Sequence, residues 1–215
     1  RVADTLWTLR GSGSKLLSTG VSRFRVSDSL VVFVDSIAQE LIVNWRGQRI
    51  PLAKVAHGSA GPQWTQGANT VSFFNQSQRS ISYFEHGVVR VLAADTDVGI
   101  VLNGNGIVGY WDEARGEFMG QRNAAPVRLS GLKPVNAQAG DGLLAFVDGT
   151  LKLKVWHGAN LVQLTDSMPS QYWVKDRTLL YLWAGRLMMY TDGGALEVEA
   201  YVPEQWQVTG DRVVY

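Results

Sequence analysis

The string "GNGIVG", from Gly104 to Gly109, has the letters of a dinucleotide fingerprint. In that fingerprint glycines let the backbone approach a pyrophosphate lying at a helix N-terminus, so a strand must precede them and a helix must follow. Here the segment running on through "IVGYWD" has strand character, and Gly104 and Gly106 hold the same place in a repeat as Gly140 and Gly142. The glycines are expected to form a turn. Asp35, Asp112 and Asp148 are a second candidate set, since acids in a series suit calcium or glycoside chemistry. A catalytic carboxyl pair needs two unlike environments, whereas these acids recur in equivalent places, each closing an apolar run, with Asn75 in the same place. They are expected to cap turns by accepting bonds from the backbone that follows. His86 and His157 each precede a glycine after an aromatic run, where the first such run carries Arg46, and His57 stands alone. This spacing suits exposed turns and makes no metal centre.

Composition removes further classes. The chain of 215 residues has no cysteine, which excludes disulfides, thiolate ligands and cysteine nucleophiles. Twenty Lys and Arg stand against 19 Asp and Glu, for a formal charge of +1 and no long run of one sign. Nothing is built to grip nucleic acid or anionic lipid. No apolar stretch is long enough to insert in a bilayer as a helix. No catalytic residue, cofactor or metal is expected, and the chain is expected not to be an enzyme.

The elements that would position any site repeat along the sequence. The runs "LVVFVD" from Leu30, "VSFFN" from Val71, "IVGYWD" from Ile107, "LLAFVD" from Leu143, "LLYLWA" from Leu179 and "VVY" from Val213 are separated by 41, 36, 36, 36 and 34 residues. Each of the first five is followed by a turn and then a second apolar strand with an aromatic near its end and a glycine, as in "IVNWRG", "SYFEHG", "KVWHG" and "MMYTDGG", with "GEFMG" a weaker member. Glycine there allows the positive φ of a hairpin turn. A third strand follows, and a fourth segment precedes each run. In that preceding segment Phe24, Trp64, Tyr172 and Trp206 form an aromatic column, interrupted at Ile100 and Asn136, with Gln63, Gln171 and Gln205 in the column before it. The rings are expected to fill the wedge between neighbouring sheets. The alternative is a ligand platform of Trp64, Tyr172 and Trp206 with Gln63, Gln171 and Gln205, on which a sugar could stack.

Four short antiparallel strands in about 36 residues, repeated in tandem, predict an all-β fold: a β-propeller of four-stranded blades buried against one another. Five blades are expected over residues 22–60, 61–95, 96–131, 132–168 and 169–202. The remainders, 203–215 and 1–21, complement each other. The expectation is one domain over residues 1–215, a six-bladed propeller closed by terminal strands sharing a blade, with Tyr215 leading to the strand at Leu6. An open ring would leave sheet edges unpaired. The alternative is a piece of a longer propeller.

The repeats "MPSQYWVKDRTLLYLWAGRLMMYTDGGALEVE" and "GDGLLAFVDGTLKLKVWHGANLVQL" resemble the compact propeller repeats of TolB-like proteins over almost the whole chain. The "SPDG" turn of that family is replaced here by "VKDR", "VTGDR" and "QAGDG". The "LLAFVDGTLKLKVWHG" style of repeat is also similar to cell-envelope propellers of Bacteroidetes, including a plug-like subunit of the type 9 secretion translocon. The resemblance implies an extracytoplasmic protein that docks on a larger partner, such as an outer-membrane or secretion complex. A non-enzymatic protein-interaction module is therefore expected, with contacts at the irregular places: residues 53–61, the "DEARGEFMGQRNAAP" segment and the "YVPEQW" corner. Arg46, Arg49, Arg115 and Arg122 are the candidate partner-binding residues, because arginine is enriched in interfaces. A lectin-like module and an enzyme with an axial-channel site are the alternatives.

Overall fold

Turn chemistry sets where each strand stops. The structure, a computed structural model, describes residues 4–10, 13–56, 62–97, 99, 101–122, 125–191, 193–209 and 212–214. Three hairpins use a two-residue turn with both φ values positive: Arg46 (51°) and Gly47 (84°), His86 (50°) and Gly87 (85°), Ala184 (52°) and Gly185 (75°). That turn matches the right-handed twist of the strands it joins. The "RG", "HG" and "AG" pairs thus act as backbone devices.

The chain divides into two compact units, residues 1–98 and 99–215. In the first unit β1 (Leu6–Arg10) pairs with β2 (Gly13–Ser18) as a two-stranded sheet. Two four-stranded antiparallel meanders follow. One is β3 (Val21–Val26), β4 (Leu30–Asp35), β5 (Glu40–Trp45) and β6 (Gln48–Lys54); the other is β7 (Trp64–Gln66), β8 (Thr70–Asn75), β9 (Ser80–Glu85) and β10 (Val88–Ala93).

The second unit has three such meanders. The first is β11 (Val101–Asn103), β12 (Val108–Asp112), β13 (Glu117–Gln121) and β14 (Val127–Ser130). The second is β15 (Asn136–Ala139), β16 (Leu143–Val147), β17 (Leu153–His157) and β18 (Asn160–Gln163). The third is β19 (Gln171–Lys175), β20 (Thr178–Trp183), β21 (Arg186–Thr191) and β22 (Gly194–Glu199). A two-stranded sheet of β23 (Gln207–Thr209) and β24 (Arg212–Val214) ends the described strands.

Burial follows the position of a strand in its sheet. Every residue of β8, β12 and β16 is buried, while β10 and β18 are mostly exposed. A strand buried on both faces reads as a continuous apolar run, which is why the second strands carried the repeat signal. In the first unit Val32, Val34 and Val43 pack with Trp64, Phe73 and Phe84. In the second, Phe118 meets Phe146 edge-on at 5.0 Å, and Leu143, Val155, Leu179 and Tyr190 form a further cluster. Each fully buried phenylalanine contributes about 2–3 kcal/mol of transfer free energy.

One expectation changes. Gly120 of "GEFMG" was aligned with the hairpin glycines, but it lies inside β13. A Cβ there would stand 2.5 Å from the Trp156 indole, so the glycine makes room for a ring. Among the described residues, β1 with β2 in the first unit and β23 with β24 in the second each form a two-stranded sheet. Tyr215 lies outside the described residues. Among the described residues no helix is long and apolar enough to cross a membrane.

Candidate interaction surface

The acids are committed to turns. Asp35 Oδ1 accepts the backbone N–H groups of Ile37 and Ala38 at 3.0 and 2.9 Å, and Asp112 Oδ1 accepts those of Ala114 and Arg115 at 3.1 and 3.2 Å. Asp148 Oδ1 accepts the Thr150 N–H at 2.9 Å, its hydroxyl at 2.7 Å and the Lys152 N–H at 3.2 Å. Asn75 works likewise through side chains, accepting from Ser77 and donating to Gln78. Each carboxylate also meets a cation: Asp35 with Arg49 at 3.0 Å, Asp112 with Arg115 at 3.6 Å and Asp148 with Lys154 at 2.6 Å. Burial pushes the Asp148 carboxyl up, but Lys154, Thr150 and Lys152 outweigh it and hold its pKa at about 2. Asp35 is lowered by the same balance, burial being opposed by bonds from Ala38, Ser18, Ile37 and Arg49.

Strand register redraws the aromatic column. Phe24 faces Phe33, Trp64 faces Phe73 and Tyr172 faces Tyr181 across the first two strands of their sheets. The equivalent partners of Tyr110 and Phe146 are Val101 and Ala137. The interruptions therefore fall at Val101 and Ala137, one residue after the expected Ile100 and Asn136. Asn136 belongs to the preceding column, where its Oδ1 accepts the Tyr172 hydroxyl at 2.7 Å. Trp64 and Tyr172 are only 6% and 7% exposed, and Trp206 is half-buried against Trp173 with ring centroids 4.3 Å apart. Phe24 is 54% exposed. Gln63, Gln171 and Gln205 are exposed.

Other side chains strap one sheet to the next. In the first unit Arg23 donates to the Pro62 carbonyl at 2.7 Å, with its guanidinium 4.0 Å from the Trp64 ring centroid, and Arg25 donates to the Trp64 carbonyl. In the second, the Gln138 amide donates to the Tyr172 carbonyl at 3.0 Å and accepts the Val174 N–H at 2.9 Å, satisfying two backbone groups with one side chain.

The four candidate arginines go separate ways. Arg49 donates to Leu17 and pairs with Asp35, holding β6 to β2. Arg115 lies in the turn capped by Asp112. Arg46 is exposed, stacked 4.7 Å over Trp45, and lines a pocket of about 650 Å³ in the first unit with Leu9, Lys15, Val26 and Asn44.

Arg122 joins other charged groups at a polar pocket, about 320 Å³, in the second unit. It follows β13 and shares the pocket with His157, at the end of β17, and with Asn105, Asp141 and Arg177. These last three lie in the first turns of successive sheets, 36 residues apart in sequence. That interval was legible, but no one residue type marked it.

A backbone ladder sets the geometry of the pocket. The Asn105 N–H donates to Gly140 O at 3.0 Å, the Gly142 N–H to Asn105 O at 2.9 Å, and the Asp141 N–H to Asp176 O at 2.6 Å. A Cβ on Gly104 would stand 2.0 Å from Gly140 O, and one on Gly140 would stand 2.2 Å from Asp176 O. Glycine permits this approach of backbone to backbone. Gly104 and Gly106 thus serve stacked turns, between strands β11 and β12, while Gly109 lies within β12. The His157 ring packs edge-on against Tyr190 at 6.1 Å. His86 lies in its hairpin turn, and His57 is outside the described residues. Among the described residues no group of three or more His, Asp or Glu side chains is placed to hold a metal.

Solved structures share the fold at low identity. The WD40 ectodomain of the Arabidopsis thaliana receptor kinase ACR4 matches with a TM-score of 0.53 and 8% identity, over 86% of this chain and 67% of that one. Human WBSCR16 matches with a TM-score of 0.50 and 11% identity, over 83% of this chain and 64% of that one. PorZ, a bacterial surface component of the type-IX secretion system of Porphyromonas gingivalis, reaches a TM-score of 0.40 at 13% identity, over 93% of this chain and 31% of that one, a likeness too distant to bear on location or partner. The chain spans about two thirds or less of the length of these proteins. No curated protein sequence matches it. Its repeated four-stranded sheets and the match of residues 2–215 to the 10-bladed beta propeller domain place the chain in that β-propeller family.

Proposed function

We propose that this propeller is a non-enzymatic scaffold that docks a protein partner through the turns of one rim. The observation that carries the reading is the polar pocket in the second unit, where three successive sheets bring Arg122, Asp141, His157 and Arg177 together at turns and strand ends on a stiff β framework. Binding groups are effective on loops held by such a framework. The acids that could have served catalysis are occupied as turn caps, and the burial of Trp64 and Tyr172 withholds the stacking faces a lectin would use. The test is affinity capture on the immobilised chain, followed by titration of each purified candidate. Saturable binding of one protein supports the scaffold, and turnover of a small substrate by the chain overturns it.

Two finer parts belong to the same proposal. The cell-envelope setting, with docking on an outer-membrane or secretion complex, follows from the repeat resemblance; recovery of the native protein in a cytosolic fraction would remove it. A single six-bladed domain over residues 1–215 would bring the terminal strands into one blade. In this cysteine-free chain, Leu6→Cys combined with Val213→Cys should then form an intramolecular disulfide under mild oxidation. Failure of the pair to cross-link while the protein stays folded would remove the closure.

A further inference from the structure

We propose that the outer edge of β10 is a further docking site, where an extended, uncharged segment of the partner adds as a fifth strand, an inference that rests on the scaffold reading above. Among the described residues no strand pairs with that edge, since β10 ends the sheet β10-β9-β8-β7. The hairpin register shows which groups face outward. His86 and Gly87 form a two-residue turn, so Glu85 and Val88 are the hydrogen-bonded pair that closes it, and bonded pairs alternate from there. Val88 and Arg90 therefore bond β9, while Val89 and Val91 point their N–H and C=O groups away from the sheet. The register shift comes after Val91, so this stretch is regular.

Comparison with the other outer strands singles out β10. Exposed edges invite pairing with another chain, and proteins blunt them with proline, charge or shortness. β6 carries Pro51 with Arg49 and Lys54, β22 carries Glu197 and Glu199, and β14 and β18 have four residues each. β10 has six residues, VVRVLA, with Val88 48%, Val89 40% and Val91 56% exposed. Its one charged side chain, Arg90, already meets Glu85 at 3.8 Å, so a matching segment needs no counter-charge. β-branched residues opposite Val89 and Val91 would complete favourable cross-strand pairs. A second copy does not fit. In an antiparallel pair of two β10 strands, the register that uses both outward residues sets Arg90 directly opposite its own counterpart, and like charges there destabilise.

The experiment measures fluorescence anisotropy of a labelled heptapeptide of alternating threonine and valine on the full chain. The control is the same peptide with two adjacent prolines at its centre, which removes a donor from each edge. Saturable binding of the first peptide alone is expected. Val89→Pro deletes an outward N–H, leaves the bonds to β9 in place and should weaken binding by about tenfold. Val91→Lys puts a charge on the edge and should weaken it by about threefold. Leu196→Lys, on the outer strand β22, should leave it unchanged. Circular dichroism melts establish that each variant is folded. Absence of binding by the wild-type chain, equal binding of the two peptides, or wild-type affinity in a folded β10 variant overturns the proposal. So does a concentration-dependent dimer in analytical ultracentrifugation that Val91→Lys abolishes, which would assign the edge to a second copy.

The two readings fail separately. If a purified partner binds the wild-type chain and both β10 variants alike, the edge site falls and the scaffold stands. If no protein binds the wild-type chain, the scaffold falls and the edge inference with it.

Discussion

The two units solve one packing problem by different means. Where first turns of neighbouring sheets meet in the second unit, backbone bonds backbone: Asn105 to Gly140, Gly142 to Asn105 and Asp141 to Asp176. In the first unit the equivalent turns carry Ser27 and Asp28 against Gly67 and Ala68, and side chains make the link. Ser27 donates its hydroxyl to Ala68 O at 2.8 Å, Gln66 donates to the Ser27 hydroxyl at 2.9 Å, and Ser29 bonds Asn69. The column of rings divides the units only in part: the first puts Trp64, under the Arg23 guanidinium, opposite Phe73, whereas the second sets Ala137 opposite Phe146 in one sheet and Tyr172 opposite Tyr181 in the next. Glycine lets turns close on each other directly; without it, bulk and polar side chains fill the gap. A backbone ladder is rigid, which suits the unit that carries the polar pocket.

The largest expected effect tests the bulky solution. Trp64→Ala empties a buried indole from the first unit and should destabilise by about 3–5 kcal/mol, whereas Phe24→Ala, in the same column but 54% exposed, should cost under about 1 kcal/mol. Urea unfolding followed by tryptophan fluorescence and circular dichroism measures both, and equal costs would dissolve the distinction between the rings. Next comes the ladder. Gly140→Ala forces a Cβ onto a carbonyl oxygen 2.2 Å away and should cost about 2–4 kcal/mol, while Ser27→Ala removes one hydroxyl bond and should cost about 1 kcal/mol. Comparable losses would mean that the two junctions are equally adjustable.

An effect smaller than those at Trp64 and Gly140 is expected in acid. The Asp148 pKa is about 2 in the folded chain, below its ordinary value near 4. A depressed carboxylate stabilises above its unfolded pKa, and that stability disappears as pH falls from about 4 through about 2. The contribution is about 1–2 kcal/mol after allowance for solvent screening. Asp148→Asn should therefore lower stability at neutral pH and flatten the melting temperature between those two pH values. A melting profile as steep as that of the wild type would show that other carboxylates govern acid sensitivity.

Much of this was legible in the residues, and the failures have a common cause. Asp35, Asp112 and Asp148 announced their turns because a cap acts on the backbone two to four residues ahead, within reach of a local pattern. Their cations Arg49 and Lys154 lie on other strands, at distances in sequence that nothing local specifies. The aromatic column slipped by one residue at Val101 and Ala137, where no ring anchors the alignment. In a strand of period two, such a slip moves a side chain to the opposite face. Gly120 was placed in a turn because its role depends on Trp156, in another sheet.

By itself the sequence determined the repeat, the four-stranded unit, the caps and the glycine turns, since these rest on periodicity and on contacts a few residues long. Only the tertiary structure decided which rings are buried, how the turns of neighbouring sheets are joined, and that Arg122 shares a pocket with Asp141, His157 and Arg177. Those outcomes depend on register between strands and on packing between sheets, where groups far apart along the chain first meet.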